Sequence, residues 1–171
     1  MRSWADGTES VPCGPLAVTT VGAVNSENPE TGLAFLRSII DGRRPQPPIS
    51  ATLGFELVAA ETGSAVFEGE TSERLYNPMG SVHGGYLATL LDSALGSAVC
   101  TRLPAGSGYT TAQLNVNLLR PVYAHTGKLR ATGRAVHVGR TLATAEAQLI
   151  GIEDGKLYAH ATTTCAIFAA R

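Results

Sequence analysis

The sequence is short of charge, of cysteine and of metal-ligand patterns, and each shortage removes a class of protein. Charged residues make up 16% of the 171, against about 25% in an average soluble domain. Thirteen Lys and Arg nearly balance fourteen Asp and Glu. No basic stripe gathers, so nucleic acid is not an expected partner. A small protein that economises on surface charge is expected to hide surface in an oligomer. The three cysteines, Cys13, Cys100 and Cys165, are far apart and odd in number. Without a C-x-x-C pair there is no disulfide framework, and a reduced, cytoplasmic compartment is expected. His83, His125, His137 and His160 have no metal-ligand spacing, so no metal is expected. No apolar run approaches the ~18 residues of a membrane helix. Met1 to Gly14 carries Arg2, Asp6 and Glu9 with no apolar stretch, so it does not read as a secretory signal. Phosphate loops, dinucleotide-binding glycine motifs in a βαβ setting and nucleophile elbows are also missing, so no ATP, NAD or other cofactor is expected. What is present is a 44% apolar chain long enough, at roughly 150 residues per domain, for one domain with its own core.

Residues 1–30 are rich in Gly, Ser, Thr, Pro, Asn and Glu, with no apolar period. They read as a flexible N-terminal extension to a domain over 31–171. Thr31 is a candidate N-cap for a short helix with Leu33, Phe35, Leu36, Ile39 and Ile40 on its stripe. Gly42 ends it, and Arg43–Pro48 reads as a stiff non-helical linker. From Thr52 the texture is β: Leu53, Phe55, Leu57 and Ala59 alternate with their neighbours, Gly63 turns, and 65–70 returns. A loop over 71–82 leads into a long helix, where Leu87, Leu90, Leu91, Ala94, Leu95, Ala98 and Val99 recur at helical steps. Asp92 is the one charge between Gly84 and Cys100, so this helix is buried on most sides. Four strands follow. In the first, Ala112, Leu114, Val116 and Leu118 are set against Thr111, Gln113, Asn115 and Asn117. The others span 128–138, 141–151 and 156–168, with turns at Gly139-Arg140 and Asp154-Gly155. Sequential hairpins imply an antiparallel sheet wrapped around the long central helix, an α+β arrangement. The many Ala, Thr and Gly positions on the strands let a helix lie close.

The chemistry gathers at the start of the long helix. A helix N-terminus carries unpaired N–H groups and a positive dipole. Gly84 and Gly85 strip side-chain cover from those amides, so either an oxyanion can approach them or the glycines serve a tight turn or close packing. Asp92 lies a little over two turns on. A carboxylate on an apolar helix needs a task or a partner: it is either a catalytic group or bonded to backbone or Ser93. His83 and Asn77 precede the helix and say little alone.

The stretch Tyr76-Asn77-Pro78-Met79-Gly80-Ser81-Val82-His83-Gly84-Gly85, continuing through Asp92-Ser93-Ala94, resembles the signature of hotdog-fold acyl-CoA thioesterases of the phenylacetic-acid-degradation (PaaI-like) family. The resemblance runs from about Pro47 to Phe168 and includes Leu118-Leu119-Arg120-Pro121-Val122 and Val138-Gly139-Arg140-Thr141. It implies a hotdog fold and hydrolysis of an acyl-CoA, with an aromatic or medium-chain acyl group, between two subunits. The expected assembly is a homodimer at the least, with a homotetramer favoured. By position, the Gly84 N–H would hold the thioester oxygen and Asn77 would orient that carbonyl. Asp92 of the neighbour would act as base or nucleophile, with Thr111 orienting the water. His83 would support the loop. Gly85, Gly139, Arg140 and Thr141 would lie along the CoA. Two other readings share the groove: a hotdog hydratase or dehydratase, and a non-enzymatic binder of acyl-CoA or aromatic ligands.

Overall fold

The computed structural model describes residues 30–169; the expected N-terminal extension lies, all but its last residue, outside them. Chain order is α1 (Gly32–Ile40), α2 (Pro48–Leu53), β1 (Phe55–Glu61), β2 (Ser64–Glu70), α3 (Gly84–Cys100), β3 (Ser107–Leu118), β4 (Lys128–Val138), β5 (Leu142–Gly151) and β6 (Leu157–Ala169). Single 3-10 turns occupy Glu73–Leu75 and Ala124–Thr126. The Thr31 hydroxyl caps α1 by accepting from Ala34 N at 3.3 Å, and Gly42 ends it with φ of 72°.

The non-helical linker expected over Arg43–Pro48 ends one residue earlier, at Pro47. Pro48 opens α2 as its first helical residue, where its missing N–H costs nothing and its fixed φ suits the helix. Thr52 and Leu53 therefore belong to α2, and the strand waits for Phe55. Gly54 makes the change of direction with φ of 74°, a conformation that favours glycine.

The six strands form one antiparallel sheet in the order β1-β2-β4-β5-β6-β3. It wraps around α3, which contacts all six strands. This is the hotdog architecture that the resemblance implies. Leu90, Leu91, Ala94, Leu95, Ala98 and Val99 of α3 are completely buried. They meet a stripe of small residues on the inner face of the sheet: Ala131, Ala143, Ala145, Ala159 and Ala161. Gly133 shows how close the approach is, since a Cβ added there would clash with the backbone carbonyl of Ala94. Each leucine is worth about 1.5–3 kcal/mol of burial, and small partners on the sheet let all of them reach the centre.

One strand departs from simple alternation. The β3–β6 register shifts between Thr111 and Gln113, so Ala112 is extra and points outward, exposed. The bulge puts Thr111 on the inner face with Leu114 and Val116, whose β6 partners Cys165, Thr163 and Ala161 are all buried. The expected grouping of Thr111 with outward Gln113, Asn115 and Asn117, and of Ala112 with the inner set, is thereby corrected. A bulge adds one residue and inverts the facing of everything beyond it. Strand β3 also ends the sheet, so one of its backbone edges has no partner strand among the described residues.

Candidate active site

The loop before α3 is built by Asn77. Its Oδ1 accepts from Met79 N at 2.9 Å and more weakly from Ser81 N, and its Nδ2 donates to Ser81 Oγ at 3.1 Å. The backbone ties itself to both sides: Val82 N donates to Val122 O and His83 N to Leu75 O. His83 is the N-cap of α3, and its Nδ1 accepts from Gly85 N at 2.9 Å. Gly85 is therefore no open amide, since its N–H is already used. A Cβ at Gly85 would sit 2.9 Å from that same nitrogen, so glycine here serves the cap.

Gly84 is different. Its N–H meets no acceptor among the described residues. It opens onto a cleft of about 280 Å³ lined by Asn77, Ser81, Gly84, Leu118 and Arg120, among others. The free amide, the positive end of a 17-residue helix and an Asn side chain thus share one opening. That combination suits an oxygen that gains negative charge. A Cβ at Gly84 would come 2.6 Å from Leu118 Cδ1, so any side chain there would crowd the cleft.

Asp92 is half-buried on the open face of α3, beside Ala88, Thr89 and Ser93. The Thr111 hydroxyl donates to its Oδ1 at 2.9 Å. Its Oδ2 has no protein partner among the described residues, and no bond to Ser93 forms. Below the pair lie Cys165, fully buried, and the Tyr109 ring, packed on Gly96. Burial, aided by the nearby Asp92 charge, pushes the Cys165 thiol up and takes the Tyr109 phenol well above its ordinary range. Both stay protonated.

The hairpin of Gly139, Arg140 and Thr141 belongs with Asp92 and not with Gly84. Ile167 N donates to Thr141 O at 3.0 Å, and Ile167 pairs with Tyr109, two residues from Thr111. Leu118, at the other end of β3, reaches Gly84. Arg140 and Thr141 are exposed, and Gly139 N donates to Leu142 O, closing the turn. Within the chain the candidate groups therefore lie apart: Asn77, His83 and Gly84 at the N-terminus of α3, and Asp92, Thr111 and the hairpin beside its middle. Two contributors lacked a role in the sequence reading. Arg120 lines the cleft, and its only signal was the quoted Leu-Leu-Arg-Pro-Val run. Ser81 holds the Asn77 amide, which only the folded loop reveals.

No group of three or more His, Cys, Asp or Glu side chains able to share a metal ion occurs among the described residues. No described helix is long and apolar enough to cross a membrane.

Residues 79–158 match the family described as Thioesterase superfamily. A 1,4-dihydroxy-2-naphthoyl-CoA hydrolase of Listeria monocytogenes is 29% identical over 93 residues, 54% of this chain and 74% of that protein. Human acyl-coenzyme A thioesterase 13 is 30% identical over 132 residues, 75% of this chain and 91% of that protein. Among solved structures, a phenylacetic acid degradation-related protein from Ralstonia eutropha JMP134 superposes with a TM-score of 0.69 at 33% identity, covering 77% of this chain and 98% of that one.

Proposed function

The chain belongs to the thioesterase superfamily and is a thioester hydrolase, and on that premise we propose that it hydrolyses an acyl-CoA at sites shared between two copies of itself. The acyl group is aromatic or of medium length. The naming of one relative for an aromatic acyl-CoA supports the first option. The observation that carries the shared site is the split of the machinery. Gly84 and Asp92 are eight residues apart on one helix, about 12 Å at 1.5 Å per residue. The open edge of β3 offers a two-fold partner a place to pair, which would bring the neighbour's Asp92 to this chain's Gly84.

In this reading the thioester oxygen accepts from the Gly84 N–H, with the second hydrogen of Asn77 Nδ2 orienting the carbonyl. Asp92 of the neighbour, its Oδ1 held by Thr111, takes a proton through Oδ2 from a water that attacks the carbonyl carbon. The oxyanion forms at the helix N-terminus, where a positioned donor is worth a factor of about 10²–10³ in rate. The C–S bond then breaks, and the CoA sulfur takes the proton back from Asp92, leaving free acid and CoA. Direct attack by Oδ2, giving an anhydride that water opens, uses the same groups. His83 holds the loop through the cap. Arg140, with Gly139 and Thr141, lies toward the CoA phosphates, where a guanidinium fork suits a diphosphate. Homodimer is the least assembly this requires, and a homotetramer is two such pairs. Cys100 and Cys165 form no disulfide among the described residues, and a reduced, cytoplasmic setting is part of the proposal.

The test is a panel of aromatic and straight-chain acyl-CoAs, with free thiol followed over time and enoyl-CoA hydration followed in parallel. Thiol release on one class of acyl group is expected. Hydration without thiol release, or tight binding without turnover, overturns the proposal.

A further inference from the structure

Thr163 is a polar residue in a row that has no evident use for one. The inner face of β6 runs Ala159, Ala161, Thr163, Cys165, all buried, with Thr163 only 2% exposed. A buried hydroxyl without a partner is costly, and this one is bonded: Thr163 Oγ1 donates to the carbonyl of Gln113 at 2.8 Å. Gln113 is the residue at which the β3 register resumes after the bulge. The bond therefore clamps the bulge from the neighbouring strand.

That clamp matters because the bulge alone turns Thr111 inward. If Ala112 were taken into regular alternation instead of bulging, Leu114 and Val116 would bring Ala112 inside and put Thr111 on the outer face, and Asp92 would lose its hydroxyl partner. Bulges can migrate along an edge strand, and β3 is one. Cys165 completes the arrangement. It sits opposite Thr111 across the β3–β6 pair, and its sulfur lies 4.0 Å from the Thr163 hydroxyl. The Thr163 proton is committed to Gln113 O and the Thr111 proton to Asp92 Oδ1. The buried thiol is then the donor to the Thr163 oxygen, which leaves the Thr163 proton on Gln113 O.

We propose that Thr163 is a positioning residue: its hydroxyl locks the β3 bulge and so fixes the Thr111–Asp92 hydrogen bond that readies the carboxylate. The proposal rests on the reading of Asp92 and Thr111 as the reacting half-site, and its test separates the two.

Steady-state kinetics on a thioester substrate are measured for Thr163→Val, Thr163→Ser, Thr111→Val and the double variant Thr163→Val/Thr111→Val, with thermal midpoints recorded for each. Misplacement of a reacting group costs up to about a hundredfold. Thr163→Val is expected to lower kcat by roughly ten- to a hundredfold with KM little changed, while Thr163→Ser keeps kcat within about threefold because it keeps the donor. In the Thr111→Val background the Thr163→Val change should have no further effect on kcat, because the two act through one bond. If both losses instead multiply, Thr163 acts through general stability and the proposal is wrong. If Thr111→Val loses activity and Thr163→Val does not, the proposal fails and the reading of the half-site stands. If Thr111→Val has the wild-type kcat, both fall. Should Thr163→Val not fold, Thr163→Ala takes its place in the same cycle.

Discussion

Mixing two inactive variants should restore activity, in an amount that the geometry sets. Asp92→Asn keeps the side-chain volume and loses the basicity; Asn77→Ala keeps the helix and loses the carbonyl-orienting amide together with the loop bonds to Met79 and Ser81. On one chain the Gly84 amide and the Asp92 carboxylate are eight residues apart along α3, about 12 Å. A water in hydrogen-bond reach of the carboxylate, about 3 Å, cannot also touch a carbonyl held at that amide. On the proposed mechanism each site needs the amide of one chain and the carboxylate of the other. In a hybrid dimer, one site combines both lesions and the other has neither. Equal random mixing makes about half the dimers hybrid, each with one of two sites intact, so roughly a quarter of wild-type activity should return. The assay is thiol release by the two variants co-expressed with different affinity tags, with hybrids isolated on both tags in turn. Those purified hybrids should show about half the wild-type activity per dimer, since one of their two sites is whole. Hybrids no more active than the average of the two parents would place the whole site within one chain and refute the reasoning.

Three further outcomes follow from the same structure. Gly84→Pro removes only an N–H that has no acceptor, at a first helical position where proline is favoured. It should keep the fold by circular dichroism and lose about 10²–10³ in kcat relative to Gly84→Ala, which adds a comparable Cβ but keeps the donor. Leu91→Ala, in the fully buried centre of α3, should cost about 2–5 kcal/mol in urea unfolding; a loss below about 1 kcal/mol would contradict the packing described. Asp154 is held below its usual range first by the Lys156 backbone N–H, then by the Tyr158 hydroxyl and the Lys156 ammonium. A depressed carboxylate stabilises the fold above its unfolded value of about 3.9 and loses that effect as pH falls through the folded value. The gap in thermal midpoint between wild type and Asp154→Ala should thus be present at neutral pH and shrink in acid, and a gap that widens there would reverse the sign.

The long helix was plain in the sequence because its seven apolar positions keep one period over 17 residues, and the cap at Thr31 and the later hairpins were plain from local turn chemistry. The half-site at Gly84 was legible as a motif. What was hidden depends on partners far along the chain. Nothing local marks Ala112 as a bulge; the inversion of Thr111 appears only when β3 is laid on β6 and pinned by Thr163. Gly84 and Gly85 look alike in sequence, yet one amide is open and the other is spent on His83. Their difference comes from position relative to the cap, since the His83 side chain reaches the second helical N–H and leaves the first open. Pro48 misled in the opposite direction, since proline breaks a helix in its interior and starts one at its edge.

The bare edge of β3 also bears on how the protein is made. Residues 107–118 include no charge and no proline, the usual devices that keep an unpaired edge from recruiting strangers. If the proposed dimer pairs through β3, a newly synthesised chain displays twelve residues of ready backbone until a second copy covers them. At low expression that wait lengthens, and at high temperature the exposed strand finds wrong partners faster. Recovery of soluble protein should therefore be governed by the speed at which two nascent chains meet, and less by the stability of either one.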